Sequence, residues 1–113
     1  MHIDWSSLST EQLSPLIDRQ FINTGNVTVA RFFLRKGAFV PEHRHPNEQI
    51  AFVLSGSMRF IMEGKSIILR AGETLCIPPN VPHSAEALED TIDLDVFTPP
   101  RRDWIEKDDR YLR

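Results

Sequence analysis

The hydrophobic positions of this chain fall in short stretches that are rich in β-branched and aromatic residues, a composition typical of strands. The clearest stretches cover residues 27–34, 49–54, 58–62, 66–70 and 91–97. Turn residues interrupt the chain about every eight to twelve residues, and no part of 15–98 has the spacing of a long amphipathic helix. The pattern predicts an all-β domain, a sandwich or a barrel, with its core at about 15–98.

Glycine-containing turns indicate how the predicted strands are connected. Thr24-Gly25-Asn26 and Glu63-Gly64 each separate two strand-like stretches. Ser55-Gly56-Ser57 joins 49–54 to 58–62 and has the signature of a hairpin. We therefore expect consecutive strands to pair as antiparallel neighbours at these turns.

The two ends of the chain lack the strand pattern. Residues 1–14 are predicted to form a loose N-terminal arm, and residues 99–113 a charged C-terminal tail. Their aromatic residues Trp5, Trp104 and Tyr111 are candidates for packing the arms onto a partner subunit.

Composition narrows the class of protein. A length of 113 residues predicts one domain spanning 1–113. The net charge of −3 gives no reason to expect nucleic acid as a partner, and no segment approaches the ~20 apolar residues that cross a bilayer. The polar N-terminus does not resemble a signal peptide, and the single cysteine, Cys76, fits a reducing compartment. A cytoplasmic location is the expectation.

Two histidines form the centre of the most informative segment, which runs from Gly37 to Gly56. His43 and His45 are separated by one residue. Because side chains alternate between the two faces of a strand, both imidazoles point the same way. This spacing is suited to presenting two ligands to one metal ion.

Further ligands can come from nearby and from a second strand. Glu48 or Gln49 returns toward the histidine pair after a bend, and His83 must come from a different strand, which a barrel supplies. Imidazole, amide and carboxylate donors suit Zn, Ni, Fe, Co or Mn, and the ligand types do not choose among them. The sequence predicts one divalent transition metal.

The last strand-like stretch offers an acid beside an aromatic side chain. In 91–97, Asp95 and Phe97 share one face, which lines either a pocket or the solvent. A carboxylate beside an aromatic ring suits a pocket that performs acid/base chemistry on a sugar. Arg101 follows closely and can bind a carboxylate in a fork. Arg59 faces either the pocket, where it is a candidate substrate-binding residue, or a subunit interface.

The spacings resemble the two motifs of the cupins. The first motif is matched by Gly37, His43, His45, Gln49 and Gly56, with glutamine where the motif has glutamate. The second is matched by Gly72, Pro78, Asn80, His83 and Ala87, with asparagine for glycine and alanine for asparagine. The resemblance implies a cupin (double-stranded β-helix, or jelly-roll) barrel with short N- and C-terminal arms.

The glutamine in place of glutamate changes the expected chemistry. A neutral amide leaves the charge of a bound cation uncancelled, so such a site should favour an anionic substrate. It also favours Lewis-acid chemistry over oxygen chemistry. Glu48 lies one residue out of register and should face the other way.

Three segments resemble a narrower group, the KdgF family of pectin-degradation cupins. They are HRHPNEQIAFVLSG, IPPNVPHSAEALEDT and LDVFTPPRRDW, and the similarity extends from about Pro15 to Trp104. The resemblance implies that His43, His45, Gln49 and His83 bind the metal. It implies catalytic roles for Asp95, Phe97 and Arg101, the last two also binding substrate.

The same resemblance implies an activity. The expected reaction is ring opening of 4,5-unsaturated monouronates, the small anionic sugars released by pectin or alginate lyases, to linear 4-deoxy-5-keto uronates. Substrate and product are isomers, so no redox cofactor is expected. A homodimer is the expected assembly. A cupin dioxygenase and a non-catalytic sugar-binding cupin are the alternatives.

Overall fold

The computed structural model describes residues 1–113 and consists mainly of ten β-strands. The strands are β1 Glu11–Ser14, β2 Ile17–Asn23, β3 Thr28–Leu34, β4 Phe39–His43, β5 Glu48–Ser55, β6 Ser57–Met62, β7 Lys65–Arg70, β8 Thr74–Ile77, β9 His83–Ala87 and β10 Thr91–Thr98. One short helix, α1, spans Arg102–Ile105, and single 3-10 turns cover Trp5–Ser7 and Arg110–Leu112.

The strands form two antiparallel sheets. The larger has the order β1-β2-β3-β10-β5-β8, and the smaller has the order β4-β9-β6-β7. The predicted all-β fold is confirmed. The two sheets pack as a jelly roll, although the hydrogen-bonded ladder does not run continuously around the structure.

The core lies between the sheets and consists of residues that alternate inward along each strand. In β3, for example, alternate residues are buried from Thr28 to Leu34. Phe32 from the larger sheet and Phe60 from the smaller both belong to the buried cluster. This packing fixes strand register, because a one-residue slip would turn the apolar side chains outward.

Two of the predicted connections are hairpins, and one is not. β2 pairs with β3 and β6 with β7, as their turns predict. The hairpin predicted at Ser55-Gly56-Ser57 is wrong, because β5 and β6 belong to different sheets. Gly56 instead takes a positive φ of 87° against the start of β10, so that the chain crosses from one sheet to the other.

The two ends of the chain are more ordered than loose arms. Part of the N-terminal arm forms β1, an edge strand of the larger sheet. The C-terminal tail folds back so that Trp104 and Leu112 join the core cluster. Trp104 and Tyr111, predicted to pack on a partner subunit, both contact their own domain, and the prediction of a partner contact is not tested. None of the helices has the length and apolar composition that a membrane crossing needs.

Candidate metal centre and its cavity

Three histidines converge at one end of the space between the sheets. His43 ends β4, His45 follows in the adjoining loop, and His83 begins β9. Strands β4 and β9 pair so that His43 lies directly opposite His83. One ring nitrogen from each residue lies within 4.8 Å of the other two. The topology therefore collects ligands that are about forty residues apart in sequence.

Backbone carbonyls fix the tautomer of each imidazole. The Nδ1 atoms of His43, His45 and His83 lie 2.8, 3.1 and 2.8 Å from the carbonyl oxygens of residues 41, 47 and 81. Since only Nδ1–H can donate to a carbonyl, each Nε2 carries a lone pair. This arrangement is typical of metal-binding histidines, whose second nitrogen donates to a carbonyl or carboxylate.

The electrostatics of the cluster also fit a metal. Burial lowers the pKa of His43 and of His45 to about 4 and lowers the pKa of His83, so the imidazoles are neutral at pH 7. The buried Nε2 of His83 has no hydrogen-bond partner. An unpaired buried lone pair is costly unless a cation or donor satisfies it. The three residues fit a divalent ion.

Gln49 offers an amide oxygen as a fourth neutral donor beside the three imidazole nitrogens. It is buried on β5, whereas the neighbouring Glu48 is exposed on the opposite face. Its Oε1 lies 3.2 Å from Nε2 of His45, so two lone-pair-bearing atoms face each other. Gln49 and Asp95 are both buried on the inward faces of the paired strands β5 and β10. The structure places Gln49, not Glu48, where a fourth ligand would bind.

Strand β10 supplies the polar wall of the same cavity. Asp93, Asp95 and Phe97 are all buried, while Ile92, Leu94 and Val96 on its other face are partly exposed. The ladder places Phe97 opposite Gln49, next to the metal ligands. The sequence did not decide whether the face with Asp95 and Phe97 lines a pocket or the solvent. In the structure it lines the cavity, even though it carries the acidic residues.

The two aspartates of β10 form a buried carboxyl pair. Burial raises the pKa of Asp93 well above its usual range, and the adjacent Asp95 raises it further. Burial also raises the pKa of Asp95, to about 6, although hydrogen bonds from Asp93 and Gln49 and the charge of Arg101 oppose that rise. Both carboxyl groups thus differ from ordinary surface aspartates, as groups at functional sites often do.

Arg101 reaches the site and is 1% exposed. Its guanidinium carbon lies 4.7 Å from the ring centre of Phe97 and 4.4 Å from that of Trp104, within cation–π range. Nε and Nη2 donate to the two carboxylate oxygens of Asp103 at 2.9 and 2.6 Å, and Nη2 also bonds the hydroxyl of Tyr111. A cation capable of binding an anionic group therefore stands next to Phe97.

The C-terminal tail closes the cavity. The ring of Tyr111 stacks on His43 with centroids 4.5 Å apart and planes at 29°. The enclosed space is about 50 Å³, enough for a few water molecules but small for a sugar ring. Its lining includes His43, Gln49, Asp95 and Tyr111. Candidate metal ligands, the carboxyl group of Asp95 and the C-terminal tail therefore line the same cavity.

The sequence model for the Cupin domain matches residues 30–98, from within β3 to the end of β10. The chain belongs to the cupin family.

Individual relatives agree with this assignment. The chain is 31% identical to the pectin degradation protein KdgF of Dickeya dadantii (strain 3937) over 98 residues, which are 84% of this chain and 89% of that protein. Its fold is similar to the structure of KdgF from Halomonas sp., with a TM-score of 0.82 and 27% identity, covering 88% of this chain and 94% of that one. An RmlC-like cupin from Shewanella frigidimarina NCIMB 400 matches with a TM-score of 0.82 and 26% identity, covering 88% and 90%. The predicted resemblance to small single-domain KdgF-like cupins is confirmed.

One departure from the cupin motifs has a conformational explanation. Asn80, which stands where the second motif has glycine, adopts a positive φ of 63°. Asparagine tolerates this left-handed region better than most residues do. This left-handed conformation explains how asparagine can stand at a motif position that otherwise carries glycine.

The structure does not bring Arg59 to the cupin cavity. Its neighbours on β6, Met58 and Phe60, are buried, and its own side chain is 43% exposed beside Glu86, at 3.8 Å. The alternation of β6 therefore directs Arg59 outward, and the predicted substrate-binding role is wrong for this geometry. It remains on an outer face, where a subunit interface could include it.

Sequence reasoning missed three residues that shape this cupin site. Asn47 is buried and donates to the carbonyl oxygens of Pro99 and Pro100, which ties the histidine loop to the segment before Arg101. Asp103 and Tyr111 bind the guanidinium of Arg101. Of the three, Asn47 was the easiest to predict from the sequence, because it lies within the histidine segment. No sequence pattern near Asp103 or Tyr111 indicates that they belong to the site.

Proposed function

We propose that this cupin opens the ring of 4,5-unsaturated monouronates released from pectin or alginate, giving linear 4-deoxy-5-keto uronates. The observation that carries the proposal is that the three neutral histidines and Gln49 lie beside one cavity lined by the buried Asp95 and Phe97, with the buried Arg101 packed against Phe97. Similarity to two KdgF proteins, one of them described as a pectin degradation protein, supports a role in pectin breakdown.

The candidate metal ligands are His43, His45, His83 and Gln49. A bound divalent ion would supply a Lewis acid for polarising sugar oxygens. All four donors are neutral, so the protein leaves the charge of the ion uncancelled. This electrostatic balance favours an anionic sugar over a neutral one.

Arg101 and Phe97 are suited to binding and orienting the sugar. A guanidinium recognises a carboxylate through two parallel hydrogen bonds. The hydrogen bonds to Asp103 and Tyr111 use Nε and Nη2 and leave Nη1 for a further acceptor. Phe97 packs against both Arg101 and His45 and would contact the sugar ring between the carboxylate site and the metal centre. Because the cavity is small for a sugar ring, the C-terminal tail that covers it must move aside when substrate binds.

Asp95 is the acid/base candidate. In direct ring opening, the anomeric hydroxyl loses its proton, C1 becomes an aldehyde, and the bond between C1 and the ring oxygen breaks. The ring oxygen leaves as the oxygen of a C5 enolate, which becomes the ketone when C4 gains a proton. Asp95 either accepts the anomeric proton or delivers the proton to C4, and its pKa near 6 suits both tasks at neutral pH. Opening after addition of water at C5 remains the alternative route.

Lyase-derived unsaturated galacturonate and unsaturated alginate monomers provide the direct test. Metal-loaded protein should consume the conjugated alkene faster than the spontaneous rate, without oxygen and without change in product mass. Asp95→Asn protein with equal metal content is the matched control and should lose most activity. Oxygen-dependent turnover would indicate a dioxygenase, and saturable binding without turnover would indicate a sugar-binding protein; either result overturns the proposal.

We also propose a homodimer formed by a second copy of this chain. The support is the outer face of β10, where Ile92, Leu94 and Val96 are only partly buried, beside the exposed Leu54 of β5. Light scattering during size-exclusion chromatography should give twice the mass of one chain, and a monomeric mass at micromolar concentration contradicts the dimer.

A further inference from the structure

The end of the C-terminal tail occupies space that the proposed substrate would need. The ring of Tyr111 stacks on His43, a candidate metal ligand, with ring centres 4.5 Å apart. Tyr111 also lines the cavity together with Asp95 and Phe97. The space left between these residues is about 50 Å³, which suits a few water molecules. A sugar ring therefore cannot enter the cavity while Tyr111 remains in place.

The tail also offers Arg101 the chemical groups that a uronate would offer. The carboxylate of Asp103 accepts hydrogen bonds from Nε and Nη2 of Arg101, at 2.9 and 2.6 Å. The hydroxyl of Tyr111 accepts from Nη2 of Arg101 and, at 3.2 Å, from Nε1 of Trp104. A uronate is a sugar ring that carries a carboxylate and hydroxyl groups, so it can replace the tail with the same kinds of contact.

The first part of the tail is firmly anchored in the core. Trp104 is 4% exposed and packs edge-on against Phe32 and Phe97. Just beyond helix α1, Lys107 has a φ of 60°, in the left-handed region that is unfavourable for residues with a side chain. Residues at the end of an element often act as hinges, and movement here would relieve the backbone strain. Lys107 is therefore the point about which the rest of the tail can turn.

The segment beyond Lys107, residues 108–113, is held by few contacts. Asp109 accepts hydrogen bonds from Nη2 of Arg19 at 2.8 Å and from Nε of Arg113 at 3.1 Å. Leu112 is buried in the core cluster. The segment forms a single 3-10 turn and belongs to neither sheet. Short segments with few backbone partners open at lower cost than core strands do.

We propose that residues 108–113 form a displaceable strap, in which Tyr111 stands in the place of the sugar ring. The proposal rests on the substrate class proposed above. An anionic sugar displaces Tyr111, takes over the hydrogen bonds of Arg101, and leaves the strap free to turn about Lys107. Asp103 precedes this hinge and is 31% exposed, so its carboxylate can leave Arg101 by side-chain rotation. Because strap and sugar compete for one site, the closed strap lowers the apparent affinity for the sugar.

Two variants and a control test the competition. D-galacturonate, an anionic sugar without the 4,5-alkene, is titrated into metal-loaded protein by isothermal calorimetry. Tyr111→Ala removes the ring from the cavity and should lower Kd by roughly ten-fold, whereas Asp109→Asn weakens the strap outside the cavity and should lower Kd by roughly three-fold. Arg110→Ala changes a side chain on the same turn that is 90% exposed, and it should leave Kd unaltered.

Hydrogen exchange in the wild type gives a readout that depends neither on turnover nor on the folding of a variant. In the closed strap the amides of Leu112 and Arg113 donate to the carbonyl oxygens of Asp109 and Arg110. Saturating D-galacturonate should therefore speed their exchange several-fold. The proposal is overturned if Kd rises or stays the same in Tyr111→Ala or Asp109→Asn, or if the sugar leaves these amides protected.

The results also separate the strap from the proposed reaction. If the wild type consumes unsaturated uronates while galacturonate leaves the amides of the strap protected, ring opening stands and the strap proposal fails. If galacturonate releases the strap and both variants bind it more tightly, but no unsaturated uronate is consumed, the strap stands and the proposed reaction fails.

Discussion

Asp103 binds Arg101 through two hydrogen bonds, Nε to Oδ1 at 2.9 Å and Nη2 to Oδ2 at 2.6 Å. This is the bidentate geometry that a substrate carboxylate would otherwise adopt. The side chain of Arg101 is almost fully buried, whereas that of Asp103 is 31% exposed. Asp103 therefore both orients the arginine and competes with an anionic ligand for it.

Removing the charge of Asp103 should strengthen substrate binding. In Asp103→Asn the amide oxygen still orients the guanidinium, but the competing negative charge is gone. We expect KM for an unsaturated uronate to fall by roughly three- to ten-fold, about 1 kcal/mol, with kcat changed less. Asp108→Asn makes the same charge change at an exposed site and should leave KM unaltered. Equal effects of both substitutions, or a rise in KM for Asp103→Asn, would contradict competition.

Gln49→Glu should separate metal affinity from substrate affinity. A carboxylate ligand binds a divalent cation more tightly than an amide does, but it cancels part of the charge that attracts the anionic sugar. We expect slower loss of metal to a chelator together with a higher KM. Glu48→Gln, on the exposed side of β5, is the control and should change neither quantity. A lower KM in Gln49→Glu would argue against electrostatic attraction by the metal centre.

Gly56 and Gly72, two of the three motif glycines at positive φ, should respond differently to alanine. Gly56 and Gly72 have φ values of 87° and 86°, so alanine is strained by a similar amount at both positions. At Gly56 the added Cβ would lie 2.3 Å from the carbonyl oxygen of Asp90, whereas at Gly72 it meets nothing within 4 Å. Gly56→Ala should therefore lose about 2 kcal/mol more free energy of unfolding than Gly72→Ala, as measured by urea denaturation. Equal losses would show that the crossing between sheets tolerates the extra atom.

A buried arginine links the tail to the larger sheet. The guanidinium of Arg19 donates to Asp109 at 2.8 Å and lies 4.5 Å from the ring centre of Trp104. Arg19→Met leaves the buried Asp109 with Arg113 as its remaining partner and should cost roughly 2 kcal/mol in urea denaturation. Arg35→Met, which breaks an exposed pair, should cost less than about 1 kcal/mol. If Arg35→Met costs as much as Arg19→Met, the buried link is not what stabilises the tail.

The sequence predicts those parts of the site that depend on local alternation. His43 and His45 converge as their spacing predicts, although His45 lies in the loop just beyond β4. Gln49 faces inward and Glu48 does not, because side chains alternate along β5. Alternation also groups Asp95 with Phe97, but it cannot say which face of β10 is inside. The burial pattern of β10 shows that the face carrying the aspartates points into the protein.

Other features depend on contacts between distant segments. Tyr111 reaches His43 only because the tail folds back across the domain. The turn at Gly56 resembles a hairpin locally, yet sheet packing sends β5 and β6 into different layers. The side chain of Arg59 points outward because its neighbours on β6, Met58 and Phe60, are buried. The sequence of so short a strand does not determine which of its faces is buried.

The neutral carboxyl group of Asp93 should make stability depend on pH in a recognisable direction. Its pKa is raised in the folded state, so the folded state holds a proton that the unfolded state releases above its ordinary pKa of 3.8. Stability from this group is therefore fully present below that pKa and is lost progressively as pH rises. In Asp93→Asn this contribution is absent, so the melting temperature of the variant relative to wild type should increase from pH 4 to pH 8. Asp108→Asn, an exposed acid, should give a nearly constant difference over the same range. A flat profile for Asp93→Asn would mean that Asp93 is ionised in the folded protein.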